Sequence, residues 1–438
     1  MYKNLPDGLR VIHIPSSSNV AYCGIAVHAG TRNEDPGQEG LAHFCEHLAF
    51  KGTRRRSAMK IINDIEGLGG ELNAFTNKED TVFYCVIERK HLRRAIDVLC
   101  DIVFCSEYPE QEVERECEVV CDEIDSYEDS PSELIYDEFE NLLFEGHPLG
   151  HNILGTSEQV GRYTSDDARR FTRQWYRPEN CVLFVNEERR MKNEEFAAAT
   201  DSEGPVAAAN SSNSAGPIAA ANSSNSEAPV AAANSSNSAG PVAAANSSFF
   251  ILHSSLTTPI IRDRGTHQAH VMLGTQAFSA GDDRRWALYL LNNILGGPGM
   301  NSRLNLALRE RHGLVYTVES SMTSYSDTGL WTVYFGCDAH DTQRCLRLTR
   351  HELDRLMQKP LSEAQLRAAK RQLQGQLAIA MDNQEQRVLD YARTFLHTGH
   401  GRTLADVMDH INRLTVNDLQ QAAQQLFAPE RLLTLIYK

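Results

Sequence analysis

Three scarcities in this 438-residue chain each exclude a class of function. Long apolar runs are missing: none approaches the ~20 residues of a membrane-spanning helix, so no membrane partner is expected. Positive charge is short, with 43 Lys and Arg against 58 Asp and Glu and a net charge of −15. Phosphate backbones need a basic surface, so nucleic acid is not an expected partner, whereas an acidic chamber would attract basic peptides. Paired cysteines are missing too: eight of the ten lie in the first half and none forms a CxxC pair. Met1 to Pro15, with Leu9, Val11, Ile12 and Ile14, reads as a strand rather than a secretory leader. Scattered thiols without a leader point to a reducing compartment, and a cytoplasmic location is expected.

What is present is the composition of a soluble globular protein, 41% hydrophobic and 23% charged, with length for two domains. From Gly204 to Ser248 a 12-residue period repeats, as in GPVAAANSSNSA. Its few large apolar side chains cannot offset the entropy of ordering it, so it reads as a linker or insertion. The boundaries are therefore 1–203, 204–248 and 249–438. The flanking parts share an outline. A strand at Gly24 to His28 leads to a helix at Leu41 to Phe50, and a strand at His270 to Gly274 leads to a helix at Trp286 to Leu295. Each half continues with β-type runs (Thr81 to Ile87, Leu330 to Phe335) and amphipathic helices (His91 to Phe104, Thr342 to Met357, Glu363 to Leu396). The pattern predicts a duplicated α+β unit, each domain a sheet with helices packed on one face.

One string carries chemistry: His43-Phe44-Cys45-Glu46-His47. Residues four apart on a helix share a face, so both imidazoles can reach one ion. Glu46 lies on the same side, where a carboxylate can take a proton from an activated water and pass it to a leaving amine. This is the H-x-x-E-H order of the inverzincins. A third ligand should come from elsewhere, and the acidic helix from about Gln111 to Tyr127 is the obvious donor. Glu114, Glu118, Asp122 and Asp125 face away from its apolar stripe. Glu112, Glu116 and Glu123 lie toward its buried edge, and helix geometry does not choose among the three. Cys117 and Cys121 read as packing residues.

The segments GLAHFCEHLAFKGT, GGELNAFTNKEDTVFY and VERECEVVCDEI together resemble the pitrilysin/insulinase family, and most of all its branch of mitochondrial processing peptidase and bacterial relatives. The resemblance implies two similar, mainly antiparallel domains forming one half of a clamshell, and a zinc metalloendopeptidase acting on short or unfolded peptides. It implies one Zn2+ per chain on His43, His47 and Glu123, with Glu46 as general base and Glu116 supporting a ligand imidazole. The string GGPGMNSRLNLALRERHGLVYTVESS implies that Arg309 and Tyr316 assist catalysis, and Asn73, Ala74 and Phe75 that substrate adds to an edge strand. Both motif sets occur in this chain, so the implied assembly is a homodimer with composite sites. The alternative is a non-catalytic peptide-binding or scaffold subunit with a vestigial site.

Overall fold

Strand Val20–Val27 (β3) shows what the architecture must satisfy: Ala21, Cys23, Ile25 and Val27 are buried on one face and Ala26 on the other. A strand apolar on both sides needs cover on both. The computed structural model that describes residues 2–187 and 258–438 supplies it. The repeat tract of 204–248 lies outside the described residues. The first sheet contains Tyr2–Asn4 (β1), Arg10–Pro15 (β2), β3, Glu71–Thr76 (β4), Thr81–Glu88 (β5) and Cys181–Glu187 (β6), in the order β1-β2-β6-β3-β5-β4. The second contains Ile260–Arg262 (β7), Ala269–Ala277 (β8), Val315–Ser324 (β9), Gly329–Cys337 (β10) and Leu433–Tyr437 (β11), in the order β7-β11-β8-β10-β9. Among the described strands only β2 with β6 and β7 with β11 run parallel. Counted from the first strand of the parallel pair, both sheets run in the order first, last, second, fourth and third. The duplicated unit expected from the sequence is present, and the class is α+β with two similar domains.

Each sheet buries one face under helices of its own half. In the first these include Leu41–Leu48 (α1), Ala58–Glu66 (α2), Leu92–Phe104 (α3), Glu110–Glu128 (α4) and, after Pro131–Leu143 (α5) and Ser157–Val160 (α6), Ser165–Trp175 (α7). In the second they include Arg285–Gly296 (α8), Thr342–Gln358 (α9) and Glu363–Ala380 (α10) and, after Gln384–Thr398 (α11), Leu404–Arg413 (α12) and Val416–Leu426 (α13). Four helices begin on reciprocal caps, Thr164 with Asp167, Ser362 with Gln365, Thr403 with Asp406 and Thr415 with Asp418, which satisfy backbone N–H groups otherwise without acceptors. Among the described residues no helix is long and apolar enough to cross a membrane.

The opposite faces are covered by exchange. Helix α5 lays Leu134, Ile135, Phe139 and Leu143 on Met272, Leu433, Leu435 and Tyr437 of the second sheet. Helix α11 lays Val388, Leu389, Ala392 and Phe395 on Ile12, Ala26, Val82 and Phe184 of the first. The single helix expected over Glu363 to Leu396 is broken at Met381–Asn383, where the Asn383 side chain accepts the Gln386 N–H and starts a new helix. Two helices are needed because α10 packs into its own domain and α11 crosses to the other.

Below α1 the chain is pinned by charge. Arg56, its side chain 2% exposed, holds Asp64 at 2.9 Å and Asp101 at 2.5 Å and also pairs with Asp97. Breaking a buried network strands the remaining charges. We expect Arg56→Ala to cost roughly 3–5 kcal/mol, read as a lower denaturant midpoint. A loss below about 1 kcal/mol would show that the carboxylates find water instead.

Candidate metal centre

Helix α1 carries the motif, and its start is built to hold it still. Gly40 caps it at φ 92°, a left-handed backbone, and a Cβ there would lie 2.4 Å from the Leu154 carbonyl oxygen. The buried Glu34 carboxylate accepts the N–H groups of Gly40 (3.0 Å) and Ala42 (2.7 Å) and meets His151 Nε2 at 2.9 Å. Burial raises the Glu34 pKa despite these bonds. A carboxylate at this end also suits the helix dipole. Nothing local in the sequence announces Glu34, which sits in a loop six residues before the cap.

On α1 the two imidazoles meet Glu123 of α4. His47 Nε2 is 3.5 Å and His43 Nε2 4.0 Å from Glu123 Oε2, and potential ligand atoms of all three lie within 4.8 Å of one another. Zinc bonds of ~2.0–2.1 Å in tetrahedral geometry put ligand atoms about 3.3 Å apart, so this spacing fits one such ion after small movements. Burial, then the neighbouring His47, push the His43 pKa down to about 3, which leaves that ring neutral and able to give a lone pair. His47 Nδ1 is 2.9 Å from Glu116 Oε1, whose other oxygen takes Lys51 Nζ at 2.6 Å. That bond assigns the ring proton to Nδ1 and frees Nε2 for the cluster. Burial alone would lower the His47 pKa, but Glu116, Glu46 and Glu123 outweigh it and raise it. Three carboxylates thus favour positive charge at this spot, and a divalent cation supplies it as well as a proton does.

The three candidates on α4 separate in space. Glu112 pairs with Arg115 at 2.9 Å, and Glu116 is buried behind His47. Glu123 reaches the cluster but is not at a buried edge, because its side chain is 45% exposed. The helical wheel misplaces it because α4 passes the open side of α1 there. This exposure leaves the cluster open to solvent on that side. Cys117 Sγ lies 3.2 Å from the Val160 carbonyl oxygen and Cys121 Sγ 3.7 Å from that of Ser157, contacts of packing thiols outside the cluster. We expect Glu116→Gln to weaken metal affinity about 10–100-fold, measured by chelator competition. Unchanged affinity would remove Glu116 from any orienting role.

Glu46 is buried beside the cluster and accepts the Thr76 hydroxyl at 2.8 Å. Burial raises its pKa against the opposing effects of that bond and His47. Thr76 ends β4, and Asn73, Ala74 and Phe75 directly precede it on that strand. Strand β4 pairs only with β5, so its other edge is unpaired among the described residues. The spacing arguments did not find Thr76 or Lys51, which act through side chains distant in sequence.

Arg309 and Tyr316 are not part of this cluster within one chain. Arg309 sits on a π-helical turn, Asn305–Glu310, where the Arg311 N–H reaches back to Leu306 O at 3.1 Å. Tyr316 is 77% exposed on β9. Both line a cleft of about 520 Å³ whose walls all come from the second half.

Comparison with known proteins agrees with this geometry. Residues 10–157 match the family described as "Insulinase (Peptidase family M16)" and residues 243–373 the "Peptidase M16 inactive domain". An uncharacterized zinc protease of Streptomyces coelicolor is 33% identical over 436 residues, 99% of this chain and 88% of that protein. The chain belongs to the insulinase family of peptidases. Another insulinase-family relative, the uncharacterized zinc protease YmxG of Bacillus subtilis, is 30% identical over 98% of this chain and 96% of its own length. The fold is also that of a protease from Helicobacter pylori, with a TM-score of 0.83 at 21% identity, covering 100% of this chain and 99% of that one.

Proposed function

We propose that this insulinase-family chain is a zinc-dependent endopeptidase of short or unfolded peptides. The observation that carries the reading is the convergence of His43, His47 and Glu123 with Glu46 beside them. His43 Nε2, His47 Nε2 and a Glu123 oxygen would hold one Zn2+, which supplies a Lewis acid that acidifies water and polarises a carbonyl. Glu46 then takes a proton from the attacking water and returns it to the leaving amine. The Thr76 hydroxyl fixes the Glu46 carboxylate and ties it to the strand on which a peptide would pair. Main-chain pairing along Asn73, Ala74 and Phe75 accepts many sequences but only extended ones. All ten cysteines are free, eight of them buried, which supports a reducing, cytoplasmic setting.

Arg309 and Tyr316, exposed on the second half, would complete the site of a partner copy by donating hydrogen bonds to the carbonyl oxygen as it gains charge. A twofold homodimer would then carry two equivalent composite sites. Mixing Glu46→Gln chains with Arg309→Ala/Tyr316→Phe chains tests this. Random exchange leaves half the dimers mixed, each with one intact site, so about a quarter of wild-type activity should return. No recovery after verified exchange would place both motif sets in one chain's own site. Zinc content together with peptide turnover, with and without chelator, tests the endopeptidase reading itself. Bound zinc without turnover would favour a peptide-binding subunit.

A further inference from the structure

The turn that follows β4 is gripped from the second half, and it carries the hydroxyl that holds Glu46. Thr76 at the end of β4 pairs with Thr81 at the start of β5, and Asn77 to Asp80 make the turn between them. Asp80 is only 1% exposed. Arg393 holds its carboxylate with two guanidinium nitrogens, at 2.9 and 3.1 Å, and His397 Nε2 meets it at 2.9 Å. Those two residues are four apart on α11, so they share one face of the helix. The apolar face of α11, with Val388, Ala392 and Phe395, packs on the first sheet and so brings both groups to the turn. Asn77 Nδ2 donates to the same carboxylate at 2.8 Å, and the Asn77 N–H to the Asp80 carbonyl oxygen at 2.8 Å. Burial acts to raise the Asp80 pKa, but His397 and Arg393 outweigh it and hold it at about 2.

A second contact between the halves reaches this turn, where Glu79 accepts from Arg32 at 2.7 Å and from the Ser326 N–H at 3.0 Å. That contact is partly open to water, and exposed pairs contribute little. A buried charge deprived of its partner costs far more, so Asp80 is the stronger grip. On its inner side the turn delivers the Thr76 hydroxyl to Glu46 Oε2 at 2.8 Å. Thr81 Oγ1 backs it at 3.4 Å and itself donates to the Ala29 carbonyl oxygen. A hydroxyl has one proton to give, so the place of Thr76 fixes where the Glu46 carboxylate is held. On the reading of Glu46 as general base, we propose that Asp80 is a positioning residue: Arg393 and His397 of the second half hold it, and it holds Thr76 against Glu46. The second half thereby acts on the metal site of its own chain, apart from what Arg309 and Tyr316 would do for a partner.

Amide exchange and turnover test this separately. In the metal-free protein, Asp80→Asn should speed hydrogen exchange of a fragment spanning Thr76 to Thr81 about tenfold or more. Glu79→Gln on the same turn should change it less than about twofold. In the zinc-loaded protein, Asp80→Asn should lower kcat for a fluorogenic peptide about tenfold with zinc content unchanged. Thr76→Val should lower kcat too. The double variant should lose no more than about twofold beyond Thr76→Val alone, because both changes release the same carboxylate. A merely destabilising change would multiply with Thr76→Val instead. His397→Phe keeps the Arg393 pair and should give smaller shifts in the same direction, so a second variant stands if Asp80→Asn fails to fold. Unchanged exchange in the folded variant overturns the proposal, and so does a wild-type kcat or full multiplication in the double variant. Absence of turnover in wild type would sink the peptidase reading instead, and exchange would then decide whether Asp80 holds the turn.

Discussion

Glu46→Gln should reduce peptide cleavage by about 10²–10⁴-fold while leaving zinc bound. The reasoning is positional. Glu46 is three residues from His43 and one from His47, yet its carboxylate is taken by Thr76 rather than turned toward Glu123. A Gln side chain has the same length and still accepts the Thr76 hydroxyl, so the pocket keeps its shape. What it loses is the ability to take a proton. Metal content by mass spectrometry and turnover of a fluorogenic peptide are the two measurements. Wild-type turnover in the variant would remove Glu46 from the mechanism. Loss of zinc along with activity would instead make it a ligand or a structural group.

How much of this was legible in the sequence depends on whether the information was local. The H-x-x-E-H spacing on α1 is local, and both rings sit where four-residue spacing puts them, 4.5 Å apart. The strand at Gly24 to His28 was legible as a short apolar run, and the structure extends it back to Val20–Val27. The choice among Glu112, Glu116 and Glu123 was not local. It depends on the angle at which α4 crosses α1, which helical periodicity does not contain. Only the resemblance singled out Glu123, and the structure shows why Glu112 and Glu116 are otherwise engaged. The break at Met381–Asn383 escaped because both flanking segments are good helix formers and the cue is a single capping Asn. The exchange of α5 and α11 between halves was equally hidden, because an apolar helix face does not say which sheet it will cover. Glu34, Lys51 and Thr76 touch the site only after folding brings distant segments together.

Glu123→Ala should empty the metal site and abolish turnover without unfolding the chain. If four ligands share the ~10–16 kcal/mol typical of protein-bound zinc, one carries about 2.5–4 kcal/mol, or roughly 10²–10³ in affinity. The fold should tolerate the change because the Glu123 side chain is 45% exposed and lies on a flank of α4, outside the buried set that includes Val113, Val120 and Ile124. Removing it also relieves the crowding of Glu46 and Glu123, which raises the Glu46 pKa in the metal-free protein. The metal-free thermal midpoint should therefore match or exceed wild type, while the stabilisation that zinc gives wild type should disappear at the same zinc concentration. Glu112→Ala is the matched control on the same helix: it breaks only an exposed pair with Arg115 and should leave zinc affinity and turnover unchanged. The contrast is what decides, since both changes remove one acid from an acidic helix and alter net charge equally. If Glu123→Ala keeps wild-type zinc affinity, the two imidazoles take their third ligand from elsewhere, and the metal centre described above is wrong at its most exposed member.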